Sequence, residues 1–121
     1  MCTVVAYSSS AESRAALTFA IERVRRSGSV LHVVSREPAV PPEIEERLSE
    51  VTWEWEYCEP ESDLASRVLQ AAVPPEGEVW GDPAIVIGLR RRTAEGRLSL
   101  GQTAERVLLE ASCPVVTVKC A

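Results

Sequence analysis

The apolar positions change period several times along the chain, and each change marks an element. Residues 3–7, TVVAY, form a short continuous apolar run that predicts a buried strand. After it, Leu17, Ala20, Ile21 and Val24 recur at helical spacing, with Ser10 placed to cap the helix and Gly28 to stop it. VLHVV at 30–34 reads as a second strand. In EPAVPPEIEERLSEV, Pro42 suits a first helical position, glutamates crowd the first turn, and Ile44, Leu48 and Val51 share one face. The period then drops to two. Trp53, Trp55 and Tyr57 alternate with Thr52, Glu54 and Glu56, which predicts a strand with one wet face, suited to a sheet edge. Leu64, Val68 and Ala72 predict a third helix, VPPEGEVWGDP a connector, and AIVIG at 84–88 an almost wholly apolar, central strand. TAERVLLEA at 103–111 offers Ala104, Val107, Leu108 and Ala111 as a helix face, and PVVTV at 114–118 is the last strand.

Strands alternating with helices through one chain predict an α/β fold: a single domain over residues 1–121, with an open five-stranded parallel sheet and helices on both faces. In such sheets ligands bind beyond the carboxyl ends of the strands, where the strand order reverses. Two loops qualify, SSSAES at 8–13 and GLRRRTAEGRLSLGQT at 88–103.

Composition narrows the partners. The net charge of −5 argues against nucleic acid and anionic membranes, so an anion site must be a local cluster. No apolar run approaches the roughly 20 residues that span a bilayer, and MCTVVAYSSS lacks the basic and apolar regions of a secretory signal. A cytoplasmic protein is expected. Cys2, Cys58, Cys113 and Cys120 form no CxxC pair and no metal-spaced cluster, so reduced structural thiols and no bound metal are expected.

The arginines of the second loop, Arg90, Arg91, Arg92 and Arg97, read either as an anion clamp or as a solvated cluster. GRLSLGQT matches a phosphate-binding P-loop except at the lysine, which is Gln102; glutamine cannot neutralise phosphate, and the preceding strand ends too early. Ser8, Ser9 and Ser10 would need a neighbouring base to act as nucleophiles. The single histidine, His32, lies inside an apolar strand and reads as a hydrogen-bonded core or rim residue. Ser10 reads as a helix cap, and the tryptophans as cover for a helix rather than a stacking platform.

With both loops placed, the whole chain resembles the universal stress protein family, most strongly in AYSSSAESRAALTFAIE and IVIGLRRRTAEGRLSLGQTAERVLLEASCPVVTVK. The resemblance implies a Rossmann-like, adenine nucleotide alpha hydrolase-like sheet of order 3-2-1-4-5. Family members that bind ATP carry Gly, two residues, Gly, nine residues, then Gly with Ser or Thr. Gly88 and Gly101 keep that spacing here, whereas Arg91 stands for the second glycine and Gln102 for the Ser/Thr, with Thr103 one place later. Ser8 stands for the family's usual aspartate, and Ser9 for the glycine after it. The resemblance thus implies a ligand site built from Ser8, Ser9, Ser10, Gly88, Arg90, Arg91, Gly101, Gln102 and Thr103. Its occupants would be ATP or AMP with Mg²⁺, or a phosphate or sulfate anion. It also implies a homodimer through the last strand, Val115–Val118.

Three functions compete. The first is a non-catalytic, dimeric stress-response or signalling module whose nucleotide loop has drifted. The second is an ATP- or AMP-binding protein with weak ATP hydrolysis, and the third an adapter for a protein partner. The first is the reading preferred from the residues, since no set of them amounts to a catalytic constellation.

Overall fold

Alternate strand residues point to opposite sides of the sheet, and the computed structural model, which describes residues 2–90 and 101–120, sorts them into two cores. The elements run β1 (Cys2–Tyr7), α1 (Ala11–Ser27), β2 (Val30–Ser35), α2 (Pro42–Leu48), β3 (Thr52–Tyr57), α3 (Leu64–Ala71), β4 (Ala84–Arg90), α4 (Gln102–Glu110) and β5 (Val115–Cys120). The five strands form one parallel sheet of order β3-β2-β1-β4-β5. Val5, Tyr7, Leu31, Val33 and Val86 pack beneath α1 and α2. Val4, Ala6, Val34, Ile85 and Ile87 pack beneath α3 and α4. The fold class and strand order implied by the sequence are those observed.

The helix ends follow the local chemistry. The Ser10 hydroxyl accepts from the Ser13 N–H at 3.3 Å, capping α1. Gly28 takes φ 74° at the other end and donates to the Val24 carbonyl at 2.8 Å, in a left-handed conformation that costs glycine least. β3 is an edge strand, as its wet face predicts. Trp53 and Trp55 pack onto the core under α1 and α2, and Trp55 meets Tyr7 edge-on at 5.5 Å between ring centroids. Trp55 Nε1 also donates to the Glu37 carbonyl at 3.0 Å, so this tryptophan covers a helix layer and holds its polar end satisfied.

Val51 lies beyond α2, where its N–H donates to the Leu48 carbonyl at 3.1 Å in a turn, and still packs half-buried against the core that holds Ile44 and Leu48. Two expected core residues sit elsewhere. Tyr57 ends its strand exposed. Leu108 is 41% exposed, because α4 leans on α3, held by Arg106 to Asp63 and Ser66, and leaves its far flank open. No described helix is long and apolar enough to cross a membrane.

One buried group is unsatisfied. Thr3 is 1% exposed, and its hydroxyl finds no hydrogen-bond partner among the described residues. A stranded buried hydroxyl costs about 1–3 kcal/mol, so the near-isosteric Thr3→Val should stabilise the chain by about 1 kcal/mol. The midpoint of urea unfolding would rise, and an unchanged or lower midpoint would refute the account.

Candidate functional site

The sheet opens where its order reverses. β1 and β2 stay in register over six positions, from Cys2 opposite Val30 to Tyr7 opposite Ser35. β1 and β4 pair at only three, ending at Val5 opposite Val86. Beyond that point Ala6 on one side and Ile87, Gly88 and Leu89 on the other line a cleft of about 380 Å³. Its rim is made by the β1–α1 turn and the start of α4 (Gly101, Thr103, Ala104), and Leu64 at the head of α3 closes a further side. The crevice is thus at the topological switch point, where helices that follow β1, β3 and β4 all begin.

The turn after β1 is a cluster of hydroxyls. Ser8 Oγ lies 3.1 Å from Ser10 Oγ and 3.1 Å from Ser13 Oγ, and Ser10 also caps α1. These serines spend their hydrogen bonds on one another and on the helix end. Among the described residues no base is hydrogen-bonded to them. His32 lies away from the turn, with Nδ1 3.2 Å from Glu54 Oε2 and Nε2 2.9 Å from Glu56 Oε1. It is a rim residue held by carboxylates, as its strand setting predicts.

Glu56 is the centre of that small network, with Arg67 Nε donating to it at 2.7 Å. Burial pushes its carboxyl upward, but the hydrogen bonds from His32 and Arg67 and the Arg67 charge outweigh burial and hold it below the ordinary glutamate value of 4.5. The native state therefore favours the ionised form. Its contribution to stability is full above that ordinary value and is lost as pH falls through the lowered native one. Glu56→Gln should cost about 1 kcal/mol or less at neutral pH and flatten the acid limb of stability below pH 4.5. Urea midpoints between pH 3 and 7 would check it, and parallel curves for the two proteins would contradict it.

The two glycines that keep the family spacing do different work. A Cβ built on Gly88 would stand 2.1 Å from the Glu12 carbonyl oxygen and 2.4 Å from its carbon, so the first turn of α1 rests directly on the β4 backbone. A Cβ on Gly101 would meet nothing within 4 Å among the described residues, and its φ of −68° is open to any residue. Gly101 is the N-cap of α4 and supplies no side-chain cap to the first N–H groups of that helix, which begins at the cleft with Gly101, Thr103 and Ala104 in its lining.

Of the residues singled out from sequence, Ser8, Ser10, Gly88, Gly101 and Thr103 come together at the cleft. Ser9 and Gln102 are exposed and are not part of its lining. Arg90 ends β4, and Arg91, with Arg92 and Arg97, lies outside the described residues. Glu12, Ser13 and Leu64 line the cleft without having been singled out. Ser13 carried a usable signal, since it stands three residues after a capping serine; Leu64 carried none.

Cys58 is fully buried beside the Arg36 guanidinium, 3.4 Å from Nη1, while burial pushes the half-buried Cys2 and Cys113 thiols upward. All three are free, and no group of three or more metal-ligating side chains gathers among the described residues.

Comparison with known proteins agrees with this architecture. A model of the universal stress protein family matches residues 78–119. A universal stress protein of Mycolicibacterium smegmatis (strain ATCC 700084 / mc(2)155) is 30% identical over a 129-residue alignment, covering 96% of this chain and 95% of that protein. Among solved structures, a universal stress protein from Archaeoglobus fulgidus superposes with a TM-score of 0.70 at 25% identity, covering 98% of each chain. A universal stress protein from the same organism in complex with dAMP shares the fold, with a TM-score of 0.62 at 24% identity over 98% of each chain.

Proposed function

Because the chain belongs to the universal stress protein family, at 30% identity to a relative aligned over 96% of its length, we propose that it is a non-catalytic stress-response module holding an adenine nucleotide in the switch-point cleft. The observation that carries this reading is Gly101. Among the described residues nothing lies within 4 Å of a Cβ built there, and it begins a helix as an N-cap that supplies no side-chain cap, beside a crevice lined by hydroxyls. No described neighbour calls for a glycine at this position, whereas a phosphate approaching the backbone N–H groups does. A volume near 380 Å³ suits a small ligand of nucleotide size, and a protein of the same fold holds dAMP. The non-catalytic part rests on the serines, whose hydrogen-bond partners among the described residues are one another rather than a base.

Calorimetric titration with adenosine, AMP, ADP and ATP, with and without Mg²⁺, tests the reading. Saturable binding that requires a phosphate is expected, with no hydrolysis of ATP. Failure of every adenine nucleotide to bind would remove the nucleotide, and steady phosphate release would remove the word non-catalytic.

A second copy of the chain is the proposed partner. β5 is the open edge of the sheet, and Val115, Val116, Thr117 and Val118 remain half-exposed along it. Leu108 at 41% and Leu109 at 78% exposure on α4, and Phe19 at 42% on α1, add exposed apolar surface on the helices flanking the sheet. Antiparallel pairing of two such edges would satisfy both sets of strand N–H and C=O groups. Sedimentation should give twice the chain mass at micromolar concentration, falling to one for Leu108→Glu with Leu109→Glu; a monomeric wild type would end the dimer reading.

A further inference from the structure

Two walls of the cleft are the heads of helices. Leu64 opens α3, and Gly101, Thr103 and Ala104 begin α4. Because α4 leans mainly on α3, and the residues it buries are Ala104 and Val107, the gap between these walls is set largely by how the two helices meet. A polar clamp joins them there. From α4, Arg106 Nη1 donates to Asp63 Oδ2, and to Ser66 Oγ at 3.2 Å. Ser66 Oγ donates to the same Asp63 oxygen at 2.7 Å. Glu110, one turn further on, accepts from Arg106 Nε at 3.0 Å and restrains the guanidinium from its own helix. Asp63 is the N-cap of α3, the residue before Leu64. Neither Asp63 nor Arg106 lines the cleft itself.

We propose that Asp63 and Arg106 are a positioning pair for the ligand, setting the width of the cleft by fixing the head of α4 against the head of α3. This rests on the nucleotide reading above. A nucleotide seated between Leu64 and the start of α4 needs both walls at once. Ligand and clamp therefore favour the same arrangement of the two helices, and each strengthens the other. The Arg106 and Asp63 side chains are 40% and 52% exposed, a setting in which an ion pair adds little to folding. Its loss lets the walls part without unfolding the chain, and shows in binding rather than in stability.

The experiment titrates AMP into wild type, Asp63→Asn, Arg106→Gln and the double variant, and unfolds each in urea. Both single variants should bind AMP about three- to fivefold more weakly, with urea midpoints close to wild type. The double variant should bind no more weakly than either single one, because the pair acts as a unit. The two substitutions change the net charge in opposite directions. Plain electrostatics would thus tighten the anion in Asp63→Asn and loosen it in Arg106→Gln, and that pattern of signs would overturn the proposal. Losses that add in the double variant, or AMP binding unchanged in both single variants, would also overturn it. So would a fall in the urea midpoint that tracks the lost affinity, by reducing the effect to general destabilisation. Absence of AMP binding in the wild type would instead strike the nucleotide reading on which the role of the pair stands.

Discussion

Gly88→Ala should destabilise the protein by about 3 kcal/mol or more. The new Cβ would stand 2.1 Å from the Glu12 carbonyl oxygen, well inside van der Waals contact. Both partners are backbone, so no side chain can swing aside. Either α1 lifts from the sheet or β4 bends, and both are tied into the core, α1 through Ala16, Leu17, Ala20, Ile21 and Val24, and β4 between its neighbours β1 and β5. Because the same first turn carries Ser10 and Ser13, any lift also pulls apart the hydroxyl cluster. Chemical denaturation reads the loss directly. A stability within 1 kcal/mol of wild type would mean that the close approach between α1 and β4 is not a tight contact in solution. This glycine therefore serves helix–strand packing, a role distinct from the phosphate approach that its place in the loop motif implies.

That distinction shows where sequence patterns stop. The order of elements and the parallel sheet were legible because each strand and helix keeps its own period. The period of two at Trp53 and Trp55, and the apolar run from Ala84 to Ile87, sorted an edge strand from a central one. What failed was local to neighbours that periodicity cannot see. Leu108 has correct helical spacing for burial, yet α4 is drawn toward α3 by Arg106, and the stripe that meets the core is narrower than the stripe of apolar residues. Tyr57 continues the aromatic alternation of β3, but as the last residue of its strand it is left exposed.

The site was legible in half for a related reason. Ser10 follows from capping chemistry, and Ser8, Gly88 and Gly101 from loop position and family spacing. Glu12 and Ser13 sit at the cleft only because α1 is pressed against β4 at Gly88, a contact between backbones that no residue type advertises. Leu64 arrives from α3, through a crossover whose geometry follows from the strand order rather than from any local signal.

The roles of the two glycines separate most sharply in Gly101→Asp. An aspartate at this N-cap fits, since nothing described lies within 4 Å of its Cβ and the backbone there is φ −68°, ψ 163°. Its carboxylate would accept from the first N–H groups of α4 and meet the positive end of the helix, raising stability by about 1 kcal/mol. Those N–H groups are the ones a phosphate would use, and the new charge would repel it. Binding of AMP should therefore fall about a hundredfold while the protein becomes harder to unfold. Adenosine, which has no phosphate, should lose far less. Two measurements with opposite signs leave little room for a general structural explanation. If AMP bound the variant as it binds the wild type, the phosphate would not lie at α4, and the hydroxyl-lined cleft would have to hold its ligand the other way round or not at all.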